Sequence, residues 1–184
     1  MTNYDKIINT FIDCASRLTG VSGFITGQIE EVDIKKLGAE AYPLLYIEPQ
    51  TATIDTGSLT YSFSVYIMEQ TLDDITEQPT QILSITNNYE QIRESRNNSY
   101  NNTLAILREL INVFKQNLSQ KPSSAGDIAI SNIVDSDMVL QVPITAEPFT
   151  MRFNNILTGW TADIEIEVDN TNDLCTSAVF VTDL

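Results

Sequence analysis

Near the carboxyl end of the chain, Thr161-Ala162-Asp163-Ile164-Glu165-Ile166-Glu167-Val168 alternates with a period of two. Successive side chains of a strand point to opposite faces, so Ala162, Ile164, Ile166 and Val168 share one side and Thr161, Asp163, Glu165 and Glu167 the other. The stretch predicts a strand with one buried and one wet face. The wet face is wholly acidic or hydroxylic.

The rest of the chain reads as helix, strands, helix, strands. Tyr4, Ile7, Ile8, Phe11, Ile12, Ala15 and Leu18 keep helical spacing, with Thr2 or Asn3 as the cap and Thr19-Gly20 as the stop. Residues 21–36 read as loop and short strand. Tyr42-Pro43-Leu44-Leu45-Tyr46-Ile47-Glu48-Pro49 is a short apolar strand that Thr51–Asp55 can continue past a kink. After the turn at Thr56-Gly57-Ser58, Leu59–Met68 predicts the longest strand. It places Tyr61, Phe63, Val65 and Ile67 on one face and Thr60, Ser62, Ser64 and Tyr66 on the other, completing an antiparallel hairpin.

Residues 70–102 form a polar stretch, read as an insertion with a short helix at Ile82, Ile85, Tyr89 and Ile92 and an Asn-rich connection over Asn97–Asn102. A second helix follows, with Thr103, Leu104, Leu107, Ile111, Phe114 and Leu118 on its apolar face, ended by Lys121-Pro122-Ser123-Ser124-Ala125-Gly126. Strands are predicted at 128–134 and 138–145. Pro148–Trp160 reads as an aromatic and Asn-rich loop closing on Gly159-Trp160 before the final strand, and 175–184 as a short tail. This segregated order predicts an α+β fold: an antiparallel β-sheet with helices packed on one face, in a single domain.

Composition narrows the function classes. The chain of 184 residues carries 25 Asp and Glu against 10 Lys and Arg, a formal net charge of −15, and no histidine. Such a surface opposes binding to nucleic acid through a basic face and docking on an anionic membrane. Without histidine there is no Ser-His or Cys-His nucleophile system. Cys14 and Cys175 lack metal-ligand or redox spacing, and Cys14 sits in an apolar helical pattern as a small buried thiol. No segment reads as a signal peptide or membrane span, so synthesis and assembly in a cytoplasm are expected.

No constellation carries clear chemistry. Asp169-x-Thr171-x-Asp173 has only a fragment of a calcium loop, with Leu174 where glycine is needed, and is better read as a solvated turn. Asp73-Asp74 and Glu30-Glu31 are sequence neighbours, whereas paired acid-base catalysis needs carboxylates converging across a cleft. The glycines near Thr26 lack a phosphate-binding pattern. Arg93 and Arg96 with Tyr89 and Tyr100 could stack on bases, but Glu90 and Glu94 make a solvated helix face the simpler reading. Trp160 reads as a core or strand-edge anchor against the hairpin, with an aromatic wedge at a subunit contact as the alternative. No cofactor, metal or catalytic residue is predicted.

The amino-terminal helix, Tyr42–Ile47, the long strand carrying Tyr61, Phe63, Val65 and Ile67, the helix Thr103–Leu118 and the closing Phe153–Ile164 segment together resemble the tail terminator and head-tail joining proteins of tailed bacteriophages. The likeness spans most of the chain outside 70–98, and Leu157-Thr158-Gly159-Trp160 is its strongest piece. It implies a non-enzymatic virion subunit that closes into a homo-oligomeric ring of about six or twelve copies. Its neighbours would be portal or neck and tail proteins. DNA would pass without specific binding, along an acidic lumen built from Asp163, Glu165 and Glu167 or from Glu30-Glu31-Val32-Asp33. Phe149, Phe153 and Trp160 become candidate assembly or loop anchors, and the polar stretch 70–102 a place of contact with neighbours. Two other classes stay open: a non-enzymatic protein- or glycan-binding module, and a carboxylate-dependent hydrolase.

Overall fold

Two fourteen-residue strands, β3 (Ser58–Thr71) and β6 (Ile156–Asp169), lie antiparallel at the centre of the molecule in unbroken register from Ser58 opposite Asp169 to Thr71 opposite Ile156. This computed structural model describes residues 4–28, 37–71, 87–119, 138–152 and 156–169. Around the central pair stand α1 (Tyr4–Arg17), β1 (Gly23–Thr26), β2 (Leu44–Ile54), α2 (Asn87–Ser119), β4 (Met138–Leu140) and β5 (Ala146–Arg152). The sheet order is β1-β2-β3-β6-β4, and β5 also pairs with β6. The result is the expected α+β domain, with one departure: β1 runs parallel to β2, so the sheet is not wholly antiparallel.

The core lies between one face of the sheet and the two helices. Leu45 and Ile47 of β2, Phe63, Val65 and Ile67 of β3, and Ala162, Ile164, Ile166 and Val168 of β6 all enter it. Strand alternation alone puts them there, and burial of each large side chain contributes about 1.5–3 kcal/mol before chain entropy is subtracted. Phe11 of α1 meets Phe63 edge-on at 5.4 Å and Phe114 of α2 at 5.1 Å, tying both helices to the sheet.

Helix α1 buries Ile7, Phe11 and Cys14 as the spacing requires, Leu18 is buried just after its last turn, and Gly20 follows with φ +93°, a backbone angle that glycine adopts freely. Ile12 was expected in the core but is 41% exposed. Ile8 lies at the edge of the buried arc and Ile12 one turn further along that edge. Thr10 fills the other edge, its hydroxyl satisfied by the Lys6 carbonyl at 2.8 Å. The capping residues Thr2 and Asn3 lie outside the described residues.

The expected break at Asn97–Asn102 is absent: α2 is one helix of 33 residues. Weak intrinsic propensity is overridden by tertiary anchors in that turn. Ser99 and Thr103 are buried, and the Thr103 hydroxyl donates to the Ser99 carbonyl at 2.6 Å. The Tyr100 hydroxyl shares a hydrogen bond with that of Thr150 at 2.9 Å. Of the polar stretch 70–102, Gln70 and Thr71 finish β3 and 87–102 open α2, while 72–86 lie outside the described residues. Leu107 and Phe114 are buried as expected, and Ile106 and Leu110 widen the apolar arc.

The carboxyl-terminal third also differs. The predicted strand 138–145 ends at Leu140. Gln141 still donates its backbone N–H to the Glu165 carbonyl, after which the chain leaves β6 at Val142-Pro143, where proline offers no N–H to the ladder. It returns as β5, most of which falls in the stretch Pro148–Trp160 read as a loop, as does the start of β6. Gly159 closes no turn, because it sits inside β6 opposite Met68. A Cβ at Gly159 would collide with the Ile67 carbonyl oxygen, so close backbone approach explains the glycine. The predicted strand 128–134 and the tail 175–184 lie outside the described residues.

Candidate functional site

The face of the sheet away from the helices has two zones. At one end Tyr42, Leu44, Tyr46, Met68 and Leu157 form a small second cluster, with Tyr66 and Phe149 packed against it. The other end is polar. Asp163, Glu165 and Glu167 project there from β6, the first two exposed and Glu167 half-buried. Each carboxylate stands beside a hydroxyl of β3: Asp163 opposite Ser64, Glu165 opposite Ser62 and Glu167 opposite Thr60. Glu48 extends the row through its pairing with Ser64, and Glu147 of β5 lies opposite Thr161.

The row is held by specific contacts. Ser64 donates to Asp163 Oδ1 at 2.7 Å, and Gln141 Nε2 donates to Glu167 Oε2 at 2.5 Å. Tyr66 occupies the next rung, opposite Thr161. Burial raises its phenol pKa above the ordinary value, with Glu48 and Asp163 pushing the same way. It stays protonated at neutral pH, able to donate without adding charge. Arg152 is the only Lys or Arg in β1 to β6. Its side chain lies outside the described residues.

Beside this row lies an open cleft of about 560 Å³. It exists because β4 and β5 pair with the two ends of the same edge of β6, forcing the connection Gln141–Thr145 to arch away between them. Asp163, Glu165, Thr161 and Glu147 line the cleft opposite that arch, and no aromatic side chain lines it among the described residues. Asp163 and Glu165 are about 7 Å apart along the strand by its rise per residue, but they leave the sheet in the same direction. They do not confront one another across a gap, as an acid and base flanking a scissile bond would. Among the described residues no three acidic or cysteine side chains are grouped to hold a metal ion.

The structure separates the predicted anchors. Trp160 is on the helical face, half-buried against the main core, where its Nε1–H donates to the Tyr100 carbonyl at 2.9 Å and its ring meets Tyr100 edge-on. That is the core-anchor role. Phe149 is on the opposite face, edge-on to Tyr66 at 5.8 Å. Phe153, Glu30, Glu31 and Asp33 lie outside the described residues, as do Asp73, Asp74, Thr171 and Asp173. Tyr100 is half-buried, its ring edge-on to Trp160 and its hydroxyl hydrogen-bonded with that of Thr150. Cys14 is buried, as its helical pattern predicted.

Glu48, Glu147 and Tyr66 join the acidic row without having been singled out from the sequence. Tyr66 was placed on the correct face by alternation. Glu48 and Glu147 required the register of β2 and β5, which no local pattern contains. No helix among the described residues is long and apolar enough to cross a membrane. No known protein-family model matches the chain, and no curated protein matches it.

Proposed function

We propose that this chain is a structural protein of a tailed bacteriophage, of the tail terminator or head-tail connector type, which assembles into a ring through which DNA passes. The observation that supports this reading best is the row Glu48, Asp163, Glu165 and Glu167 on the sheet face away from the helices, at an end where the described residues carry no basic side chain. Turned toward a lumen, that row repels phosphates and lets a duplex slide. The helices then form the outer layer. In this reading the subunit acts by assembly in the host cytoplasm and in the neck or tail of the virion, contacts portal or neck proteins on one side and tail proteins on the other, and needs no cofactor or catalytic group.

The mass of the protein in solution, measured by light scattering across concentration and salt, tests the reading. A discrete multimer of about six or twelve copies is expected. A single-chain mass under every condition would count against it and favour a protein- or glycan-binding module. The cleft beside Asp163 is where such a module would take its ligand, although its lining lacks the aromatic side chains on which a sugar ring stacks.

A further inference from the structure

We infer that copies of this chain join edge to edge: the outer edge of β2 over Gln50–Ile54 in one copy pairs with the outer edge of β4 over Met138–Leu140 in the next, so that one antiparallel sheet continues between subunits. The inference rests on the ring reading above and names the surfaces that would close the ring.

The register carries the argument. Thr53 is opposite Thr60, Thr60 opposite Glu167, and Glu167 opposite Val139. One row of residues therefore crosses the sheet from the outer edge of β2 to that of β4, and the row through Ile54, Leu59, Val168 and Met138 runs beside it. The two edges stand at the same end and the same level. Each neighbouring pair along β2, β3, β6 and β4 is antiparallel, so β2 and β4 run in opposite directions. Setting the next copy alongside brings its β4 against β2 in the antiparallel sense, without inverting either subunit.

Both edges have groups to pair. On β4 the bond from the Gln141 N–H to the Glu165 carbonyl makes Val139 and Glu167 the next hydrogen-bonded pair, so the N–H and C=O groups of Met138 and Leu140 point away from β6, and β4 ends the sheet among the described residues. Asp55 donates its N–H to the Ser58 carbonyl at 2.9 Å, making 55 and 58 a hydrogen-bonded pair. Such pairs alternate along an antiparallel ladder, so Thr53 and Thr60 form the next one, and the N–H and C=O groups of Ile54 and Ala52 point away from β3. β1 covers β2 only over Leu44–Ile47, and among the described residues no strand covers Gln50–Ile54. Side chains from Gln50 to Gly57 are all exposed. Ile54, 76% exposed, and Val139, 43% exposed, are large apolar side chains open to solvent on these two edges, and Val142 at 57% lies in the connection just after β4.

The matching level and opposite direction of the two edges make them complementary to each other, which commits the surface to a second copy, and charge does not oppose that pairing. Each chain carries −15, so copies repel except where their surfaces lack charge. Residues 49–54 and 138–146 contain no charged side chain. Exposed edges are ordinarily guarded by charge, proline, bulges or short length; charge is missing from both of these, while Pro49 and the register shift before Ala52 stand at the start of the β2 edge and β4 is only three residues long. A contact between different edges is heterologous, so it propagates and closes into a ring when the rotation per copy allows.

The test uses the full-length chain. Ala52→Pro removes an outward N–H without touching the hairpin ladder, and Val139→Lys adds charge at an exposed site; circular dichroism verifies that each variant folds. Each is expected to weaken association about tenfold or more. Thr53→Cys combined with Val139→Cys, in a Cys175→Ser background, should give a ladder beyond the dimer with a short bis-maleimide. If the wild type forms multimers, folded Ala52→Pro and Val139→Lys associate as strongly, and the cysteine pair does not cross-link, edge pairing is overturned while the ring reading stands. A wild type that stays a single chain, with no cross-linked ladder from the cysteine pair, overturns both.

Discussion

Trp160 reaches from the start of the last long strand to the middle of the long helix, donating its indole N–H to the Tyr100 carbonyl at 2.9 Å. The bond falls in the Asn-rich turn that local propensity would break. Replacing Trp160 with Phe should cost about 1 kcal/mol for the lost hydrogen bond, and replacing it with Ala about 3 kcal/mol once lost packing is included. Urea unfolding midpoints check both values. A Trp160→Phe variant as stable as wild type would show that the indole N–H contributes nothing.

Gly159 and Gly57 make a matched pair. A methyl at Gly159 runs into the Ile67 carbonyl, whereas one at Gly57 meets nothing within 4 Å. Gly159→Ala should destabilise the fold by about 2 kcal/mol or more by forcing β3 and β6 apart, and Gly57→Ala should stay within about 0.5 kcal/mol of wild type. Thermal unfolding of the two variants side by side decides the matter.

Burial pushes the Cys14 thiol up to about 12 from 9.0, with Asp13 adding to the effect and Arg17 opposing it. The folded state holds the neutral thiol, so its contribution is complete below pH 9 and is lost as pH rises from 9 toward 12. The loss approaches about 1.4 kcal/mol per pH unit in that window. Cys14→Ala should flatten the fall of the urea midpoint between pH 9 and 10.5. Above pH 10 a residual slope should remain, since burial also raises the phenols of Tyr42 and Tyr66. In a Cys175→Ser background the native thiol should resist alkylation at pH 8 and react once the chain is unfolded.

Asp163, Glu165 and Glu167 repeat every second residue on one strand, about 7 Å apart, so each adjacent pair repels by about 0.6 kcal/mol in unscreened water. Asp163→Asn, Glu165→Gln and Glu167→Gln combined should raise stability by about 0.5–1 kcal/mol at low salt, and the gain should vanish near 1 M salt. The same triple variant should bind duplex DNA more strongly than wild type in a low-salt mobility assay. Unchanged DNA binding would remove the support that repulsion lends to the lumen assignment.

Much of the fold was legible in local pattern. Period-two alternation assigned the faces of β3 and β6, and helical spacing assigned Ile7, Phe11 and Cys14 to the core. Legibility failed where tertiary contact outranks local preference. Asn97–Asn102 are poor helix residues held helical by Tyr100 and its partners. Gly159-Trp160 imitates a turn because glycine serves both turns and close strand approach. Part of the candidate site was legible in Asp163, Glu165 and Glu167, while Glu48 and Glu147 join them only through cross-strand pairing.

By itself, then, the sequence determined which residues share each side of the two long strands, the acidic character of the wet side of β6, the segregation of helices from strands and the absence of imidazole chemistry. These follow from chain periodicity and side-chain chemistry, which need no knowledge of neighbours. Only the tertiary structure decided that β1 runs parallel, that β4 and β5 share one edge of β6 and open a cleft between them, that Phe149 and Trp160 face opposite ways, and that one register row links Thr53 to Val139. Those relations depend on hydrogen bonds between segments distant in the chain, and the energy that selects them is a property of the packed sheet.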